Sequence, residues 1–519
     1  MAIKHHIRIA AGERTLVSID AFEIPENRIT LLLGESGIGK SLAAKAVYGI
    51  LDPSELVITM DNEPYEKYLQ RSDVRELRAN SFFVFQEPST HLNPLMTLDT
   101  QLNEGNLSAA PHQQEILDQL FDKFSADDIR RLLAVYPKPY RPSGGEKQRI
   151  LLAMAFKKID VLIANGAPHA KELFIFDEPT GSLDNRYRDV FLSMLFERLR
   201  TMNFTALLIT HDYSMIGTIA ERYADIMHLV AFKEFSLQRR RPGTPSTSLP
   251  ENSVVMHDFQ PKDYVQWLSM LTPVPSANGD DARPLLSIAP DATVFGRHVR
   301  ITSRPDHDVG APLVLRRGSM VYLKAASGVG KTTIVKAVMG LLRAEKLLAH
   351  LDGVEISERS PRQLWRKRIW GKKMALVFQH ADEALNLASS VKEVFAGLPT
   401  MANANDDDVR RLLADLFDGE LDETFLNKKV AYLSGGQKQR LNLLRSLSLN
   451  TDVLILDEPL NGLDFESGGK VIAMLQRKQR EGKGILVISH NEEIFDRLVE
   501  PQNVYYLSVL NGESGSLNR

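Results

Sequence analysis

The sequence contains no cysteine in 519 residues. That excludes disulfides, thiolate nucleophiles, cysteine-ligated zinc and iron–sulfur clusters. No run approaches the ~18–20 uninterrupted apolar residues of a membrane-spanning helix, and the opening Met-Ala-Ile-Lys-His-His lacks the apolar core of a signal peptide. An excess of basic charge is missing too. Lys+Arg is 63 against Asp+Glu 66, a formal net charge of -3, so no global field draws nucleic acid or an anionic membrane. These absences predict a cytoplasmic chain that works at any membrane through a partner. What is present is ordinary globular material, 43% apolar and 25% charged, in a length that implies two or more domains.

The chain repeats itself. LLLGESGIGKS (Leu31 to Ser41) is answered by YLKAASGVGKTT (Tyr322 to Thr333), PSGGEKQRILLA (Pro142 to Ala153) by LSGGQKQRLNLL (Leu433 to Leu444), and LFIFDEPTGSLD (Leu173 to Asp184) by VLILDEPLNGLD (Val453 to Asp464). Equivalent lysines stand 291 residues apart, but equivalent histidines only 279. The first copy therefore carries about 11 extra residues within Lys157 to Lys171, where Asn165-Gly166 and Pro168 predict an external loop. The spacing divides the chain into a first domain over 1–238, a Pro/Ser/Thr-rich linker with one short ordered piece over 239–283, and a second domain over 284–519. Arg239, Arg240 and Arg241 read as solvated linker charge. In each copy aliphatic runs precede the Gly-rich loop, the acidic pair and the histidine, and helical patterns follow the loop and the SGG run. That alternation predicts an α/β fold with a mostly parallel core sheet.

Gly34-Glu35-Ser36-Gly37-Ile38-Gly39-Lys40-Ser41 fits G-x-x-x-x-G-K-[ST] between a strand pattern and a helix pattern. Glycines let backbone N–H groups wrap phosphates at a helix N-terminus. Lys40 then reaches the β- and γ-phosphates, and Ser41 ligates Mg²⁺. The second copy keeps Ala326, Ser327, Gly328, Val329, Gly330, Lys331, Thr332 and Thr333, but Ala325 stands in place of the first glycine. Asp177 and Asp457 end apolar strands, where a carboxylate can hold the Mg²⁺ shell. The adjacent Glu178 and Glu458 suit a general base acting on water. Gln86 and Gln379 follow strands and suit Mg²⁺ or water binding. His211 and His490, at matched distances after the acidic pairs, suit a γ-phosphate contact. Ser143-Gly144-Gly145 and Ser434-Gly435-Gly436-Gln437 are further anion-binding helix starts. A copy already equipped with a phosphate loop has no need of a second in the same pocket, so each SGG run is expected to face the other copy's nucleotide.

Six motifs in this order, twice, resemble the ATP-binding cassette (ABC) ATPases over essentially both halves. The resemblance implies two P-loop cassettes, each with a mostly parallel core sheet, an antiparallel β portion and a helical subdomain. It implies head-to-tail packing around two ATP molecules. Lys40, Gln86, Glu178 and His211 would work with Ser434, Gly435, Gly436 and Gln437, and Lys331, Gln379, Glu458 and His490 with Ser143, Gly144 and Gly145. Asp184 and Asp464 match the interfacial D-loop aspartates. The aromatic that usually stacks on adenine is not evident upstream of either loop; Ala10, Ala11 and Gly12 occupy the first copy's region. FQEPSTHLNPLMTL around Gln86 and Pro261-Lys-Asp-Tyr264 look like oligopeptide/dipeptide/nickel importer ATPases, though the iron–sulfur cluster of many such relatives is excluded here. That resemblance implies transmembrane permease partners and, through them, a substrate-binding protein. It places the chain on the cytoplasmic face of the inner membrane, with no nucleic acid. The rival readings are a soluble twin cassette of the ABC-F translation-factor type and a nucleotide-regulated scaffold. DEPTGSLD, DEPLNGLD and a Pro/Ser/Thr-rich linker depart from the ABC-F pattern, and the intact glutamates oppose the scaffold.

Overall fold

The computed structural model describes residues 2–137, 142–166, 171–181, 185–237, 253–275, 284–305, 307, 309–325, 329–419 and 421–510. The chain divides into two compact units, Met1–Tyr264 and Val265–Arg519. The division falls inside the helix Pro261–Met270.

Each unit is built on five adjacent parallel strands. In the first they run Val230–Leu237, Ile29–Gly34, Ala206–Ile209, Phe174–Asp177 and Phe82–Val84. In the second the order is Val504–Val509, Met320–Lys324, Gly484–Ile488, Val453–Asp457 and Met374–Val377. The central strands are buried along their whole length. This is why their sequences are continuous aliphatic runs rather than alternating ones. Helices pack on the sheets, and each unit places short helices between its glutamine and its SGG run, such as Ala126–Leu133 and Asp406–Leu413.

The two units differ at the antiparallel portion. In the first, the hairpin of Ala2–Ala11 and Arg14–Pro25 joins the core through Ser253–Asp258, giving one ten-stranded sheet. That inserted strand pairs parallel with Arg14–Pro25 and antiparallel with Val230–Leu237. It comes from the stretch whose composition reads as linker; Val254 supplies the buried anchor. In the second unit, Arg297–Thr302 borders Val504–Val509, and a separate four-stranded sheet forms from Leu313–Leu315, Leu286–Ile288, Leu348–Leu351 and Val354–Ser357.

Part of the first copy's extra length extends the helix after its SGG run, and Pro168 of the expected loop lies outside the described residues. The helix after its SGG run, Gly144–Ala164, has 21 residues, against 13 for Gly435–Leu447. Ile159 and Leu162 continue the buried stripe, and Asn165-Gly166 only ends the helix. Helical periodicity carries the chain through 157–164, and the turn signal takes over at Asn165-Gly166.

Candidate functional site

The phosphate loop, acidic pair, glutamine and histidine of each copy lie at the C-terminal ends of the parallel strands, where open α/β sheets bind ligands. The SGG runs start separate helices. Gly34 ends its strand at φ 131, and a Cβ there would meet the Phe235 carbonyl oxygen at 2.7 Å. Gly39, at φ 108, starts the helix Lys40–Tyr48; a Cβ there would strike Val17 at 2.8 Å. Gly330, at φ 114, starts Lys331–Val338 in the same way. Both positions require a left-handed backbone that glycine alone adopts without strain.

Lys40 Nζ donates to the Gly34 and Glu35 carbonyls at 2.6 and 3.0 Å. Burial lowers its pKa against four neighbouring carboxylates. Lys331 Nζ donates to the Ala325 carbonyl at 2.7 Å. The lysine therefore finds the same backbone acceptor whether the position carries glycine or alanine. Ala326, Ser327, Gly328, Asp184 and the arginines Arg239, Arg240 and Arg241 lie outside the described residues.

Ser41 Oγ donates to Asp177 Oδ1 at 2.7 Å. In the second copy the Thr332 hydroxyl draws the Asp457 carboxyl down, but burial is larger and the net pKa is raised. Asp177 is likewise raised, chiefly by burial. Asp457 Oδ1 is buried without a hydrogen-bond partner. A hydroxyl against a carboxylate with a buried, unspent oxygen fits a hard divalent cation such as Mg²⁺. Gln86 and Gln379 sit two residues beyond their strands, Phe82–Val84 and Met374–Val377.

Glu178 and Glu458 share an unusual backbone, φ 48 and 49. Each N–H donates across the sheet, to Ile209 at 3.0 Å and to Ile488 at 2.8 Å. Non-glycine residues hold such angles only where the surroundings enforce them, and they cluster at functional sites. The side chains then diverge. His211 Nδ1 lies 2.7 Å from Glu178 Oε2. Burial is the largest single influence and raises the Glu178 carboxyl, but the His211 charge, the His211 hydrogen bond and the Lys40 charge together outweigh it and the net pKa is lowered. Burial opposes charge on His211, yet the Glu178 carboxylate raises its pKa overall. Glu458 Oε2 instead accepts from Ser489 Oγ at 2.9 Å and from the His490 N–H at 3.1 Å, while the His490 ring stands 3.5 Å from Oε1. With burial as the largest influence, its pKa is raised to about 7.

Ser143 and Ser434 cap the helices that follow them. Glu146 and Gln437 complete capping boxes, with Ser143 N–H to Glu146 Oε2 at 2.7 Å and Ser434 N–H to Gln437 Oε1 at 3.1 Å. The N–H groups of Gly144, Gly145, Gly435 and Gly436 occupy the first helical turns, where backbone donors lack intrahelical acceptors. Asp464 caps Phe465–Arg480 by accepting from Ser467 N–H at 2.7 Å.

One residue escapes the motif reading. Phe295, 68% exposed and at φ 53, stands with Gly296 at the tip of the hairpin Asp291–Val294/Arg297–Thr302. Gly12 and Glu13 occupy the corresponding tip in the first unit. The signal is an aromatic–glycine pair between two strand-like runs, which the first copy lacks at its own hairpin tip.

This duplicated geometry defines a twin nucleotide-binding ATPase. The chain belongs to the ABC transporter family, whose sequence profile matches residues 18–181 and 310–461. It is a tandem ATP-binding protein of that family. It is 30% identical over 501 residues to the uncharacterised ABC transporter ATP-binding protein YejF of Escherichia coli K12, covering 92% of this chain and 88% of that one. It is 26% identical to the peptidoglycan transport ATP-binding protein YejF of Agrobacterium fabrum, covering 94% and 87%. It is 25% identical to the glutathione import ATP-binding protein GsiA of Escherichia coli K12, covering 94% and 81%. Among solved structures, the archaeal ribosome recycling factor aABCE1, crystallised with the stalk protein aP1, matches with a TM-score of 0.58 at 17% identity over 95% of this chain and 87% of that one. At that identity the likeness is one of fold. Among the described residues no helix is long and apolar enough to cross a membrane.

Proposed function

We propose that the chain energises an importer of peptides or peptide-derived solutes from the cytoplasmic face of the inner membrane, through separate transmembrane permeases that a substrate-binding protein supplies. The observation that carries the reading is the pair of matched glutamates, each following a buried aspartate at φ 48 and 49. The transport and import roles in the relatives' names support the peptide-type cargo.

Lys40 and Lys331 bind the β- and γ-phosphates. Ser41 with Asp177, and Thr332 with Asp457, would hold Mg²⁺, assisted by Gln86 and Gln379; when bound, the ion supplies charge neutralisation on the phosphates. Glu178 and Glu458 orient a water and accept its proton, and His211 and His490 fix those carboxylates and touch the γ-phosphate. Ser434, Gly435, Gly436 and Gln437 complete the Lys40 site, and Ser143, Gly144 and Gly145 the Lys331 site. Binding of ATP draws the cassettes together and hydrolysis releases them, which gives the permeases a mechanical stroke.

Affinity purification from native membranes tests the assignment. Permease subunits in the eluate are expected; ribosomal co-sedimentation without them would overturn it. Glu178→Gln and Glu458→Gln should each cut turnover at their own site by about 10²-fold or more while nucleotide stays bound. Unchanged turnover in either variant removes that glutamate from the chemistry.

A further inference from the structure

Between Arg359 and Ala381 the sequence carries Arg359, Arg362, Arg366, Lys367, Arg368, Lys372 and Lys373 and no acidic residue. The equivalent stretch of the first copy, Glu66 to Pro88, offsets its basic residues with Glu66, Asp73, Glu76 and Glu87. In a chain of net charge -3 this is a concentrated exception.

The fold presents it on a fixed platform. Trp365–Ile369 is a π-helical turn, closed by Trp370 N–H to the Trp365 carbonyl at 2.8 Å. Such wide turns recur at functional sites. Trp365 and Ile369 are buried, while Arg366, Lys367 and Arg368 between them are exposed. Trp365 Nε1 donates to Val338 O at 3.0 Å and Trp370 Nε1 to Met339 O at 2.8 Å, which ties the turn to the end of the helix Lys331–Val338. A Cβ at Gly340 would sit 2.4 Å from the Trp365 ring, so the packing depends on that glycine. Beside the turn is a cleft of about 730 Å³ whose lining includes Arg343, Arg359, Arg362, Ser357 and Ser360, with one carboxylate, Glu358, among them. Lys373 pairs with Asp352, and Arg359 lies 3.7 Å from Glu358. Among the described residues Arg343, Arg362, Arg366, Lys367 and Arg368 have no carboxylate within ion-pair distance.

We infer that this face of the second unit docks on anionic phospholipid headgroups, with the phosphates met by Arg366, Lys367 and Arg368 and one headgroup received by the arginine-lined cleft. The inference rests on the proposed role as a transporter ATPase. Arginine forks match phosphate oxygens in pairs, and juxtamembrane basic clusters are drawn to anionic leaflets. Nucleic acid is disfavoured because the charge is confined to one patch on an otherwise acidic chain.

The test uses the purified full chain and permease-free vesicles of phosphatidylcholine alone or with 30% phosphatidylglycerol. Co-sedimentation with the anionic vesicles only, reversed by high salt, is expected. Arg366→Gln/Lys367→Gln/Arg368→Gln should weaken it by roughly 10²-fold, and Arg359→Gln/Arg362→Gln should weaken it less, both with wild-type ATPase activity. The first-copy variant Arg75→Gln/Arg78→Gln should bind as wild type. Absence of vesicle binding, or binding indifferent to both second-unit variants, overturns the inference. So does capture of a short DNA duplex in place of vesicles. Because the vesicles hold no permease, this outcome is separate from the purification that tests the transport reading.

Discussion

Glu178 and Glu458 occupy equivalent places yet meet different neighbours, and the difference has a chemical consequence. Against burial, the His211 charge and hydrogen bond and the Lys40 charge together hold the Glu178 carboxyl below its usual range. Glu458, raised to about 7 by burial, is protonated below that pH and cannot then accept a proton from water. The sign follows directly. Turnover of Glu178→Gln, which leaves the Glu458 site working, should climb as pH rises through about 7, while turnover of Glu458→Gln should lack that limb. Parallel pH–rate profiles of the two variants would show the sites to be equivalent. The Ser489 hydroxyl bond lowers the Glu458 pKa, so Ser489→Ala should move the limb to higher pH. Phe295→Ala should weaken ATP at the Lys331 site by about 1 kcal/mol or more if the ring stacks on adenine, measurable by titration in a Lys40→Ala background. The motifs made the candidate side chains and their place at the strand ends legible, since phosphate loops and acidic strand ends constrain residue type. The left-handed glutamate backbones were not legible, because a φ angle is imposed by the sheet contacts around it. The Glu178–Glu458 difference was equally hidden, since Thr210 and Ser489 look alike in sequence.

At the scale of elements, the extended helix Gly144–Ala164 distinguishes the first unit. Its added turns carry Asp160, which pairs with Arg198 through two bonds of 2.7 and 2.8 Å. Lys157, buried, donates to Leu102 O at 2.7 Å and Asn103 Oδ1 at 3.0 Å, and also to Gln113. Burial lowers the lysine's pKa to about 8. These contacts hold the short helices Leu98–Leu102 and Gln113–Leu120 to the core side of the unit. Arg198→Ala leaves a carboxylate stranded and should cost about 3–5 kcal/mol, read as a lowered denaturant midpoint; Asp160→Asn/Arg198→Gln should recover part of it. An unchanged midpoint for Arg198→Ala would leave the pair without a structural role. The parallel strands were legible from their aliphatic runs. The extension was not, because Asn165-Gly166 marks a helix end as readily as a loop, and only burial of Ile159 and Leu162 separates the two. The strand Ser253–Asp258 was obscured by the proline- and serine-rich residues around it, since sheet membership there depends on distant partners such as Ser18 and Ile19.

At the scale of the molecule, duplication supplies two copies of one cassette that differ in local detail. The first copy has the ion-paired glutamate and the longer helix. The second has the glutamate near neutrality, the exposed Phe295 and the basic turn. Fusion in one chain fixes their ratio at one to one and lets the copies diverge without losing their partners. The central claim is that each copy completes the other's ATP site. The absence of native cysteine makes thiol cross-linking a clean test, carried out in the Glu178→Gln/Glu458→Gln background with a short bismaleimide. Ser36→Cys with Ser434→Cys should link in an ATP-dependent manner, and Ser36→Cys with Ser143→Cys should not. ATP-dependent linking of the Ser36/Ser143 pair, with none for Ser36/Ser434, would contradict the account.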